Sequence, residues 1–241
     1  MPDARVFALT SLAMLAFAGN SLLCRLALAH TAIDPASFTT IRLMSGAVML
    51  SLAVRLRSGR WSAGGSWGSA LALMAYAVGF SFAYVGLSAA TGALLLPGLA
   101  APPPGRAVLM LGAGVAWGVY SLRGQGAGEA TAANAGNFLR AAPLALGLSL
   151  VMAPALSLDR AGVLYAVGSG ALASGVGYAI WYAALPSLRS TTAAGVQRCV
   201  PALATLGGAL LLDEPITARV LVASAAILGG IGAVVRGRRR A

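Results

Sequence analysis

Gly79-Phe-Ser-Phe-Ala-Tyr-Val-Gly-Leu87 returns as Gly177-Tyr-Ala-Ile-Trp-Tyr-Ala-Ala-Leu185, 98 residues further along the chain. Gly, Tyr and Leu keep the same three places in both copies. Upstream, at the same offset and without a gap, Arg25 matches Arg123 and Arg42 matches Arg140. In a chain so rich in Ala and Leu, a shared Ala carries little information. Two Arg, a Gly and a Tyr in one register carry more. Self-similarity at a fixed period is read before local features because it sets the whole architecture.

Composition says what is repeated. The chain is 59% hydrophobic and 10% charged, with a mean hydropathy of +0.83, whereas a soluble domain carries about 25% charged residues. A bilayer-spanning helix needs roughly 20 apolar residues. Stretches that supply them lie at about 6–29, 36–54, 67–87, 107–122, 141–156, 163–185, 192–212 and 220–235. The expected fold is therefore all-α: a polytopic membrane helix bundle of about eight spans, with the lipid bilayer as its surroundings. The first stretch is longer than the apolar core of a signal peptide and belongs to the repeat, so it reads as a mature helix.

The net charge of +11 does not point to nucleic acid. All 17 basic residues are Arg, and they cluster at span ends instead of forming one stripe. With the N-terminus cytoplasmic, the cytoplasmic side holds Arg5, Arg55, Arg57, Arg60, Arg123, Arg140, Arg189, Arg236, Arg238, Arg239 and Arg240. The other side holds Arg25, Arg42, Arg106, Arg160 and Arg219. Cytoplasmic loops are enriched in basic residues, so both termini are expected in the cytoplasm.

The two copies are unequal. The first covers 1–98 and holds three full spans; the second covers 99–241 and holds five. After Leu87 only a short apolar remnant, 88–96, precedes the breakers Pro97 and Gly98. Ala89-Ala90 aligns with Ala193-Ala194. From Ala193 to Arg236 there are 44 residues, and from Ala89 to Pro97 there are nine, so about 35 have no counterpart. That is enough for two spans and a turn. A unit with an odd number of spans places its copy upside down, and three and five are both odd. The expectation is an inverted repeat of three plus five spans. Such repeats put a binding site near the membrane midplane and give alternating access by rocking.

These features carry a family resemblance. Ala16-Phe-Ala-Gly-Asn-Ser21 and Ala116-Trp-Gly-Val-Tyr-Ser121 open the two halves. Arg42 and Arg140 follow in the second helices, and Tyr84-Val-Gly-Leu87 and Tyr182-Ala-Ala-Leu185 end the third. Pro201 and Leu211-Leu-Asp-Glu-Pro-Ile-Thr217 come before the last helix. The chain resembles the EamA-like transporters of the drug/metabolite transporter superfamily over nearly its whole length. It departs from their ten spans by lacking most of the fourth and fifth. The resemblance implies a multi-pass protein of the inner membrane that moves a small metabolite or drug-like solute, outward by expectation. The alternatives are a truncated, transport-deficient member and a membrane partner or scaffold subunit.

No enzyme is expected. A membrane-embedded enzyme would need paired carboxylates, a Ser–His pair or metal ligands within spans, and the chain holds one His, His30, with its acidic residues outside the span centres. No catalytic residue, metal or cofactor is assigned. Cys24 and Cys199 read as small apolar filler.

Candidates for a substrate cavity are polar or aromatic residues within spans. Asn20 lies in the middle of the first span, where lipid offers an amide no hydrogen bond. Tyr76, Phe80 and Tyr84 share one helix face at i, i+4 and i+8. Tyr178 repeats the spacing with Tyr182, with Trp181 adjacent, and Trp117 and Tyr120 occupy the corresponding first helix of the second half. Gln197 and Arg198 complete the set, Arg198 because an ionisable group within a span is costly. An aromatic stripe is also compatible with plain packing. Arg42 and Arg140 read as snorkelling, topology-setting residues, Arg25 and Arg123 as helix closers, and Asp213 and Glu214 as a solvated turn. The 31 Gly, including Gly114-x-x-x-Gly118 and Gly168, Gly170, Gly175 and Gly177, suit close helix packing. Gly229, Gly230 and Gly232 could serve a homodimer.

Overall fold

The computed structural model describes residues 4–59, 61, 64–85, 104–124, 129–188, 190–214 and 225. Among these the structure is helical, with no strand. The remnant at 88–96, the breakers Pro97 and Gly98, the eighth span at 220–235 apart from residue 225, and the proposed dimer glycines lie outside the described residues.

Helix α1 spans Ala4–His30, α2 Pro35–Ser58, α3 Trp67–Tyr84 and α4 Pro104–Gly124. Their boundaries follow from local chemistry. Asp34 caps α2: one carboxylate oxygen accepts from the amides of Ala36 and Ser37, each at 2.9 Å. Pro35 occupies the first turn, where its missing N–H is harmless. Gly59 ends α2 in the left-handed region at φ 69°, its N–H donating to Arg55 O at 2.9 Å. Ser66 caps α3 by accepting from the amide of Ser69. Arg25 does not close α1, which continues to His30.

Helix α5 spans Ala130–Val151, so the expected span at 141–156 begins 11 residues too late. The polar run Asn134, Asn137 and Arg140 looks like loop in sequence. It stays helical because each side chain finds a partner. Tyr120 donates its hydroxyl to Asn134 Oδ1, Ser66 donates its amide to Asn137 Oδ1 at 2.8 Å, and Arg140 donates to Gly64 O at 2.6 Å. At the far end Pro154 turns the chain through the short segment Ala153–Ala155.

Helix α6 is continuous over Arg160–Ser187. Its middle, Gly168–Val176, is wound as a π-helix, an uncommon geometry found largely at functional sites. The expected span at 192–212 is broken into α7, Ser190–Gln197, and α8, Cys199–Leu211. The cause is Pro201. It has no N–H to give the carbonyl of Gln197 four residues back, and its ring crowds that carbonyl. Arg198 falls on the break.

Among the described residues, five helices (α1, α2, α3, α4 and α6) are long and apolar enough to cross a membrane. Their packing has a regular cross-pattern. Helix α3 lies against α4, α6 lies against α1, and α2 and α5 pack on each other. Gly79 and Gly177, equivalent at the 98-residue offset, make these approaches possible. A Cβ on Gly79 would stand 3.0 Å from Leu109 O and 3.3 Å from Ala113 Cβ, both on α4. A Cβ on Gly177 would stand 3.0 Å from Ala16 Cβ and 3.4 Å from the Phe17 ring, both on α1. Gly114 and Gly118 meet no neighbour within 4 Å, so that Gly-x-x-x-Gly pair joins no described helix.

Candidate functional site

Between the two sets of helices lies a cavity of about 240 Å³, at the small end of ligand pockets, which run roughly 300–1,000 Å³. Helix α1 contributes Phe17, Asn20 and Ser21. Helix α2 contributes Arg42, and α3 contributes Tyr76, Phe80 and Tyr84. From the second half come Trp117 of α4, Ala173, Ser174 and Tyr178 of α6, and Gln197, Val200 and Pro201 around the α7–α8 break. Two pairs in this wall are equivalent at the 98-residue offset: Tyr76 with Ser174, and Phe80 with Tyr178.

Seven of the ten residues singled out from sequence line this space: Asn20, Tyr76, Phe80, Tyr84, Trp117, Tyr178 and Gln197. Three do not. Tyr120 is buried outside it, bonded to Asn134. Trp181 packs with Ala13, Met14 and Ala193 in a separate apolar cluster. Arg198 is exposed at the turn between α7 and α8, which removes it from the span centre that made it a candidate.

Aromatic rings from four helices meet around the cavity. Tyr76 and Trp117 lie 5.0 Å apart between centroids, Phe17 and Tyr178 5.2 Å, and Trp117 and Tyr178 6.0 Å. Such pairs contribute about 0.5–1.5 kcal/mol each beyond their buried area. Asn20 is held in place by Ser169, whose hydroxyl donates to Asn20 Oδ1 at 2.6 Å. Ser169 and the cavity residue Ser174 both belong to the π-helical stretch of α6.

Arg42 is the residue that sequence reasoning missed. It is not a snorkelling interface residue: it is 3% exposed and its guanidinium sits 5.4 Å from the centroids of both Tyr76 and Phe80. Nη2 donates to the Tyr76 hydroxyl at a long 3.3 Å, and among the described residues Nε and Nη1 have no hydrogen-bond partner. Cation–π contacts of this kind supply about 2 kcal/mol when desolvated, less than the several kcal/mol that burying an unpaired charge costs. The sequence signal was available in principle. Arg42 lies eight residues into its helix and therefore roughly 10 Å from its start at 1.5 Å per residue.

An ion pair lies beside the cavity residue Tyr84. Arg25, one turn beyond Ser21 on α1, donates from Nε to Glu214 Oε1 at 3.0 Å and from Nη1 to Tyr84 O at 3.3 Å. The side chains of Arg25 and Glu214 are 20% and 11% exposed. Glu214 is thus not the solvated turn residue its sequence context suggested; it joins the segment after α8 to α1 and α3.

Residues 106–236 match the family description "EamA-like transporter family". A protein of Pseudomonas aeruginosa, itself described as uncharacterized, is 49% identical over 278 residues, covering 99% of this chain and 97% of its own. No solved structure matches.

Proposed function

The chain belongs to the EamA-like transporter family, a multi-pass membrane protein by its helices, and on that premise we propose that it moves a small amphipathic solute outward across the inner membrane by alternating access. The observation that carries this reading is the cavity, because both halves build it and repeat-equivalent residues line it. The cross-pattern of α3 on α4 and α6 on α1 supports an inverted repeat, in which one half rocks on the other about a central site. The Arg distribution supports cytoplasmic termini. In this reading the Arg25–Glu214 pair is the gate at the end where α1 and α3 finish, and its rupture opens the cavity there.

The shortening also finds support. The alignment with the Pseudomonas aeruginosa relative runs 37 positions beyond the 241 residues of this chain, close to the two-span deficit read from the repeat. That observation also favours the second reading, a truncated member with impaired transport. Solute counterflow in proteoliposomes separates the two. The chain, and a version with a helical pair restored after Ser88, are compared. Comparable rates support the transporter reading. Flux no greater than in protein-free vesicles for the chain, with flux restored in the longer version, overturns it.

A further inference from the structure

Resting on that transport reading, we infer that the solute is a small organic monoanion, a carboxylate on an aromatic or branched apolar body, received by Arg42. The guanidinium lines the cavity, is almost wholly buried and holds unused donors at Nε and Nη1. It cannot escape the cost of burial by losing its proton, because an arginine side chain stays charged. In the empty cavity it rests over the faces of Tyr76 and Phe80.

Nothing described in the protein balances this charge. The chain has six acidic residues. Asp34 and Asp159 cap helices α2 and α6, and Glu129 precedes α5. Asp213 and Glu214 follow α8, with Glu214 bonded to Arg25; Asp3 lies outside the described residues. The repeat partner sharpens the contrast. Arg140 uses its Nη1 on the carbonyls of Gly64 and Gly136, at 2.6 and 3.0 Å, while Arg42 has no such carbonyl. The missing counter-charge is one that the solute brings. A carboxylate would take the free donors in charge-assisted bonds, the stronger kind. Phe17, Phe80, Trp117 and Tyr178 would enclose its apolar body. An amine would meet the Arg42 charge with no acid in the wall to offset it.

The test uses the purified full chain in phosphatidylcholine vesicles, with binding read from the intrinsic fluorescence of Trp117 in a Trp61→Phe, Trp67→Phe, Trp181→Phe background. Three probes of one shape are compared: 3-phenylpropanoate, 3-phenylpropanamide and 3-phenylpropylamine. The carboxylate is expected to bind at least about tenfold more tightly than the amide, with the amine weakest. Arg42→Lys should keep the preference; Arg42→Gln should abolish it while the amide binds as before. Equal affinities, or a preference for the amine, overturn the inference and leave the cavity reading standing. Binding of none of the three by protein that melts cooperatively overturns the cavity reading and the inference with it. A lipid phosphate presents related chemistry. If phosphatidylglycerol in the vesicles abolishes carboxylate binding, Arg42 belongs to a lipid headgroup and the inference fails.

Discussion

Replacing Glu214 by Gln removes the charge that holds Arg25 without changing the size of the side chain. The pair meets at 3.0 Å between side chains that are 20% and 11% exposed. It lies between two regimes. Hydrogen bonds to charged groups contribute about 1.5–3 kcal/mol, and exposed ion pairs about 0.2–1 kcal/mol. A value of about 1–2 kcal/mol suits this degree of burial. If the pair exists only in the conformation closed at this end, its loss shifts the closed-to-open ratio by a factor of about 5–30. Ala173, in the cavity wall, provides the reporter. It is changed to Cys in a Cys24→Ala, Cys199→Ala background, and a membrane-impermeant maleimide is added on the side where α1 ends. Glu214→Gln should raise the labelling rate by that factor, Arg25→Gln should do the same, and exchanging the two charges should restore the slow rate. A rate within twofold of the parent for both single variants would refute the gate, and failure of the exchange to restore it would refute the pairing as its basis.

Other perturbations probe the framework. Gly79→Val or Gly177→Val should each cost about 1–3 kcal/mol by overpacking, read as a lower midpoint in denaturant titration in detergent; Gly114→Val, with nothing near its Cβ, should leave the midpoint unchanged. Asn20→Leu removes the acceptor for Ser169 and should cost about 0.6–1.7 kcal/mol, the range for hydrogen bonds between membrane helices. Asp34 gives a pH signature. Burial alone would raise its carboxyl pKa, but hydrogen bonds from Ser37, Ser157 and Ala36 outweigh that and hold it below the usual value. A lowered folded-state pKa means stability that is present above the unfolded value of about 3.9 and is lost as pH falls through the folded one. Asp34→Asn should therefore lower the melting temperature at pH 7 and flatten its decline below about pH 4.

Much of this was legible in the sequence, for identifiable reasons. Apolar length carried the membrane helices, because it depends only on order along the chain. The aromatic face of α3 was legible because i, i+4 spacing survives folding unchanged. Arg42 and Arg198 were exchanged in importance. Its long side chain in the first half of a span suggested that Arg42 snorkelled to the interface, yet it lies in the cavity wall over Tyr76 and Phe80. Arg198 seemed central until Pro201 broke its helix, and that break could have been read from Pro201 three residues on. The helical start of α5 was hidden because Asn134, Asn137 and Arg140 find their partners on Tyr120, Ser66 and Gly64, in other segments.

Alternating access is tested most directly by labelling the Ala173→Cys reporter from both faces of the bilayer in the same protein, with and without Glu214→Gln. The two-state account predicts reciprocity: the substitution raises labelling at the face where α1 ends and lowers it at the opposite face, because one cavity cannot be open to both. A rise at both faces would describe a bundle that gapes where helices are missing, and would contradict the account.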